Sequence, residues 1–162
     1  MENARVQANA LMFKLITAII ALLYLINCCT PLRLHVDMLR YFAIKDCIEI
    51  GCAPDSDAAK DYMPVGYTAL LLVFSKLGIL RSWTIVLLNC LYLFGGIWLV
   101  VKMFKGRIHP FVFAVLLLLN WTVIKFVTHP LSEMQYLFFS IASIYFFYRY
   151  AQERRLLFLL SS

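Results

Sequence analysis

Residues 83–101 carry no charged side chain, and that uninterrupted run decides the class of fold open to this chain. About 20 predominantly apolar residues cross a bilayer as a helix. Inside hydrocarbon a helix is one of the few structures that satisfies its own backbone. Three more segments follow the same pattern: residues 11–29, interrupted near the start by Lys14; residues 110–127, carrying Asn120 and Lys125; and residues 132–150, with Ser132 placed to cap the helix. The totals agree. The chain is 63% hydrophobic and 15% charged, with a mean hydropathy of +0.81, against roughly 45–50% and about 25% in soluble domains. No small-residue cleavage pattern follows Ile26, so the first run reads as a retained anchor rather than a cleaved signal.

The net charge of +6 does not point to nucleic acid, because the bases flank the apolar runs, where positive charge sets topology. Five cysteines (Cys28, Cys29, Cys47, Cys52 and Cys90) include no paired C-x-x-C pattern, which argues against a zinc site. Cys47 and Cys52 either bridge on an oxidising face or stay as thiols. Cys28 and Cys29 suit apolar packing better than acylation.

Residues 30–64 form the one long stretch not dominated by apolar side chains. They hold six of the nine acidic residues: Asp37, Asp46, Glu49, Asp55, Asp57 and Asp61. Such a loop must lie on an aqueous face, and loops of this length are usually functional or disordered. Residues 36–50 contain neither Gly nor Pro and predict a surface helix of poor amphipathicity; residues 51–61 read as turns. Residues 66–80 are apolar but short, as expected of a helix that dips into the membrane or lies at its interface.

Charge then tests the number of crossings. If residues 66–80 do not cross, four spans place Arg5, Lys14, Lys102, Lys105, Arg107, Arg149, Arg154 and Arg155 on one side. The acidic loop and residues 129–133 fall on the other. That obeys the positive-inside rule; five crossings break it. The expectation is an all-α polytopic bundle in a single membrane domain, residues 1–162. It has four spans (11–29, 83–101, 110–127, 132–150), a helical outer loop (30–64) and a short re-entrant or interfacial helix (66–80). The apolar run 156–160 reads as the opening of a further segment, so the domain is expected to be incomplete at its C-terminus.

A family pattern emerges in this order. Asp37 is followed by Tyr41 and Ala43. Pro64-Val65-Gly66-Tyr67 opens an apolar run ending at Gly78. A span, a basic turn and a second span come next, and Pro130-Leu131-Ser132-Glu133 opens another. The order resembles the N-terminal module of the GT-C glycosyltransferases that use polyprenyl-phosphate sugars, the relatives of protein O-mannosyltransferases and aminoarabinose transferases. It covers about residues 11–150. The resemblance implies sugar transfer from a lipid-linked phosphate to a hydroxyl of a glycan, lipid or protein. It places the reaction at the non-cytoplasmic face of a bacterial inner or ER-type membrane, without a cofactor. The family often has a carboxylate pair in this loop; here Met38 follows Asp37, which leaves open a second ligand or a metal.

The residues can be matched to that reaction. Taking the acceptor proton needs one general base, and phosphate leaves without a strong acid. Fixed charges stabilising the leaving oxygens supply the other main contribution. Asp37, six residues beyond Pro31, is the candidate base; the alternative is a surface carboxylate paired with Arg40 or Arg33. Lys125 is a candidate phosphate contact or a snorkelling amine, with Lys76 and Arg81 sharing that task. Glu133 either binds acceptor hydroxyls, orders Lys125 or His129, or sits at a helix N-terminus for the dipole. Tyr41 and His35 complete the substrate-binding set, His35 as a donor ligand. His129 joins that set, although a His before Pro at a helix break is more often a capping or hydrogen-bonding residue; His109 reads as structural. The aromatic residues of 132–150 suit a lipid-facing belt.

Two other classes compete. One is a non-catalytic scaffold or accessory subunit of the same fold, working with a complementary membrane subunit. The other is a small transporter, which would place ionisable residues near the bilayer midplane; here they lie near span ends.

Overall fold

A computed structural model describes residues 2–33, 35–60 and 64–153. Asp61, Arg154, Arg155 and the run 156–160 lie outside the described residues. Within them the chain is all-helical: eight α-helices, a 3-10 turn and no strand.

α1 (Glu2–Ile26) contains most of the first apolar run. Leu11, Leu15, Ile19, Leu22, Leu23 and Ile26 are exposed around its axis, while Ile20 and Tyr24 turn inward. The Tyr24 hydroxyl donates to the Leu118 carbonyl. The run ends in the 3-10 turn Asn27–Cys29, closed by Thr30 N and Oγ1, both on Asn27 O.

α2 (Val36–Ile50) has the expected bounds. Its amphipathicity is poor, as the sequence suggests: Val36, Leu39, Ile48 and Ile50 are exposed. Met38, Tyr41 and Lys45 are buried, and their spacing of three and four puts them on one stripe. That stripe meets α4 through Tyr67 and Leu71, with Ile85 and Leu131 behind them. Gly51, at φ 84°, stops the helix, its N–H on Cys47 O. Cys47 and Cys52 are disulfide-bonded, tying that end to the loop. A single turn, α3 (Asp57–Lys60), follows.

α4 (Val65–Lys76) stops short of the expected residue 80 because Gly78, at φ 69°, reverses the chain. Its 12 residues reach roughly 18 Å, well under the roughly 30 Å of hydrocarbon. α5 (Ser82–Met103) is the central apolar helix. Its main partner is α8 (Glu133–Glu153), approached through Gly95 and Gly96. A Cβ on Gly95 would stand 2.8 Å from the Phe138 ring, and one on Gly96 would stand 3.4 Å from Ile141.

The predicted span 110–127 is not one helix. It divides into α6 (Pro110–Leu118) and α7 (Trp121–Val127), bent by 69°. Asn120 is the cause: its side chain accepts from Thr122 N at 2.9 Å, capping a new helix instead of extending the old one.

Among the described residues, two helical segments, Leu11–Cys29 and Ser82–Met103, are long and apolar enough to cross a membrane. There are three if the bent pair counts as one span. α8 has the length, but Glu133, Gln135, Arg149 and Gln152 keep it out of that set. Two apolar clusters result. One joins α1, α5, α6 and α7 around Tyr24, Val86, Leu93, Leu118 and Val127. The other joins α2 and α4 to the start of α5.

Candidate functional site

The N-terminal half of α2 and the turn entering α8 are held together. Tyr41 and Ser132 hydroxyls meet at 2.9 Å. Tyr41 also stacks edge-on against Tyr67, ring centroids 5.1 Å apart, so α2, α4 and α8 converge at this point. Ser132 stands just before α8, its carbonyl accepting from Tyr136 N. Its hydroxyl, expected as a cap, goes to Tyr41 instead.

Asp37 lies one helical turn before Tyr41. Its Oδ2 is 3.5 Å from His35 Nδ1 and its Oδ1 is 3.6 Å from an Arg40 guanidinium nitrogen. His35 Nδ1 also takes the Asp37 backbone N–H at 3.4 Å. A neutral His35 therefore caps α2, and a protonated one pairs with the carboxylate. The Asp37 side chain remains 43% exposed, so both partners leave room for a ligand. Its Arg40 contact matches the surface-pair alternative; Arg33 is not part of it.

The His35 ring is 6.4 Å, centroid to centroid, from that of His129. His129 is buried, its Nδ1 on the Lys125 carbonyl. This agrees with a hydrogen-bonding role at the helix break. Behind it, Asn89 Nδ2 donates to Val127 O at 3.0 Å and His129 O at 2.9 Å. A fully buried side chain of α5 thus clamps the turn. Sequence reading missed Asn89; its signal was one amide inside the uncharged run of residues 83–101.

Glu133 is exposed on the first turn of α8 and shares a cavity lining with Tyr67 and Ser132. Burial pushes the Tyr67 phenol well above its ordinary range, with further push from Tyr41 and Glu133. Of the three residues expected to contact phosphate, none pairs with Asp37 or Glu133 among the described residues. Lys125 contributes its carbonyl to His129 and Thr128. Its exposed ammonium makes no ion pair with Asp37 or Glu133 among the described residues. Arg81 is exposed at the N-cap of α5.

Lys76 belongs to a different cluster. It pairs with Glu49 at 3.3 Å, and Glu49 also takes Lys45 at 2.7 Å and the Ser75 hydroxyl at 2.9 Å. Lys45 reaches Asp46 as well, at 2.6 Å. Hydrogen bonds from Lys45 and Ser75 pull the Glu49 carboxyl down to about 2, while Asp46 and Glu49 raise the Lys45 ammonium. Glu49 stands twelve residues after Asp37 on α2, roughly 18 Å along the axis. Lys76 and Asp37 therefore mark opposite ends of α2. This cluster, which fastens α2 to α4, was also not anticipated.

Among the described residues, no three His, Cys, Asp or Glu side chains converge as a metal would require. No family model, curated protein or solved structure matches this chain.

Proposed function

We propose that this chain is the membrane module of a glycosyltransferase that moves a sugar from a polyprenyl-phosphate donor to an acceptor hydroxyl, with Asp37 as general base. One observation carries the reading. The α2 carboxylate, placed far from residues 129–133 in sequence, stands one turn from a side chain bonded to Ser132. Two loop segments thereby form one polar lip with an open, half-exposed acid on it. A general base needs that combination of exposure and fixed position.

In the proposed topology, Leu11–Cys29, Ser82–Met103, the bent pair and α8 cross, while α4 dips in and returns. The length of α4 supports this, and so does the gathering of Lys102, Lys105 and Arg107 at the opposite end of α5 from the acidic loop. The Cys47–Cys52 bridge favours an oxidising, non-cytoplasmic compartment for that loop, in a bacterial inner or ER-type membrane. Arg40, beside Asp37, is better placed than Lys76 to meet the donor phosphate.

The test is release or transfer of labelled sugar from a panel of polyprenyl-phosphate sugars by the protein in nanodiscs. Asp37→Asn is expected to slow turnover at least about a hundredfold, with unfolding temperature unchanged. A second reading, a non-catalytic scaffold awaiting a complementary subunit, draws on the engagement of Asp37 by His35 and Arg40. It predicts no turnover by the wild type and no change in assembly on Asp37→Asn.

A further inference from the structure

Between the first turns of α4 and α8 lies a cavity of about 380 Å³. That is near the lower end of small-ligand sites, roughly 300–1,000 Å³. The side chains that give it its chemistry are Tyr67, Ser132, Glu133, Gln135, Tyr136 and Phe139. Three features point to one kind of occupant.

The first is charge: among the described residues the lining holds one carboxylate and no Lys, Arg or His. A phosphate placed there would meet Glu133 with no cation to offset it. The second is Tyr67, 2% exposed, whose hydroxyl has no hydrogen-bond partner among the described residues. Buried hydroxyls are rarely left unpaired, so a ligand hydroxyl reaching it would find an unmet partner. The third is the pair Tyr136 and Phe139, exposed aromatic rings on α8. Such rings offer an apolar face beside the polar groups. A carboxylate, an amide, a free phenol and aromatic faces fit a ring that has hydroxyls at its edge and C–H bonds on its face.

We infer that this cavity is the subsite for an uncharged pyranose ring, and that the lipid phosphate binds outside it. The inference rests on the glycosyl-transfer reading, which it deepens by separating where sugar and phosphate sit. The Tyr41–Ser132 bond ties the cavity to α2, and Asp37 precedes Tyr41 by four residues. That spacing puts their Cβ atoms about 5–6 Å apart on one face. The sugar-binding cavity and the base are thus joined through a single contact.

The experiment is saturation-transfer NMR on the protein in phosphatidylcholine nanodiscs. The probes are neutral methyl glycosides (gluco, manno, galacto and N-acetylglucosamino), with glucose 1-phosphate and inorganic phosphate as charged controls. At least one neutral glycoside is expected to bind and to resist displacement by inorganic phosphate. Tyr67→Phe and Glu133→Gln are each expected to weaken it about three- to tenfold. Tyr136→Ala, at an exposed position, repeats the test without touching the core.

Binding by no neutral glycoside, displacement by inorganic phosphate, or unchanged affinity in all three variants overturns the subsite. The short-chain prenyl phosphate of the sugar that binds separates the sources. Displacement of the methyl glycoside assigns the ring to the donor, and simultaneous binding assigns it to the acceptor; each supports the subsite. Asp37→Asn is expected to retain glycoside binding. If it also retains turnover, the transfer mechanism fails while the subsite stands. If the wild type transfers sugar but Tyr67→Phe and Tyr136→Ala bind glycoside normally, the subsite alone fails.

Discussion

Asn89 shows how one polar side chain can organise an apolar helix. Its amide satisfies carbonyls at the end of α7, where the chain cannot continue its helix because Pro130 follows. Asn89→Leu preserves size but removes this donor: the His129 carbonyl keeps Leu131 N, while the Val127 carbonyl loses its side-chain partner. We expect a loss of about 1–3 kcal/mol, read as a lower unfolding temperature in nanodiscs, and a turn at His129 no longer held against α5. Glu49 makes a pH-dependent contribution of definite sign. Its folded carboxyl titrates at about 2, against 4.5 without its partners. The ionised contacts to Lys45, Ser75 and Lys76 therefore stabilise fully above about pH 4.5 and are lost as pH falls towards 2. Amide exchange in α2 and α4 is expected to accelerate across that window in the wild type, and to show no such step in Glu49→Gln.

At the scale of elements, the junctions rather than the helices carry the specific information. α5 and α8 meet where α5 has no side chain to hold them apart. Gly95→Val puts branched carbons where Phe138 already lies. The ring must swing away or the helices separate, so the expectation is a loss of about 1–3 kcal/mol. Cysteine cross-linking between α5 and α8 is expected to fall with it. Gly51 and Gly78 act differently: each holds a positive φ that ends a helix. The length of α4 is consequently decided by one glycine, which is why the hydrophobic run predicts a longer helix than forms. Asn120 divides α6 from α7 in the same local manner, by capping.

At the scale of the molecule, α4 decides which face each loop occupies. Single cysteines at Asp55, Gly78, Leu131 and Lys105, in a chain with its native cysteines replaced, test the arrangement in sealed vesicles. If α4 does not cross, an impermeant maleimide added on the acidic-loop side labels positions 55 and 78 alike and leaves position 105 unlabelled. Labelling of 55 and 78 from opposite sides would mean that α4 crosses, and would move the basic turn to the face of the acidic loop. Position 131, buried in the fold, reports only on denaturation and serves as the internal control.

The sequence alone determined the helical class, the apolar runs and the bounds of α2. These follow from uncharged length and from the absence of Gly and Pro, which are properties of neighbouring residues. It also singled out Asp37, Tyr41, His35, His129 and Glu133. It could not show that Tyr41 would bond Ser132, that Asn89 would clamp the His129 turn, or that Lys76 would face Glu49 rather than the Asp37 end of α2. Those pairings join residues tens of positions apart. Only the packing of α2 against α4 and of α5 against α7 and α8 brings them within hydrogen-bond reach, because hydrogen bonds and ion pairs act over a few ångströms whatever the separation along the chain.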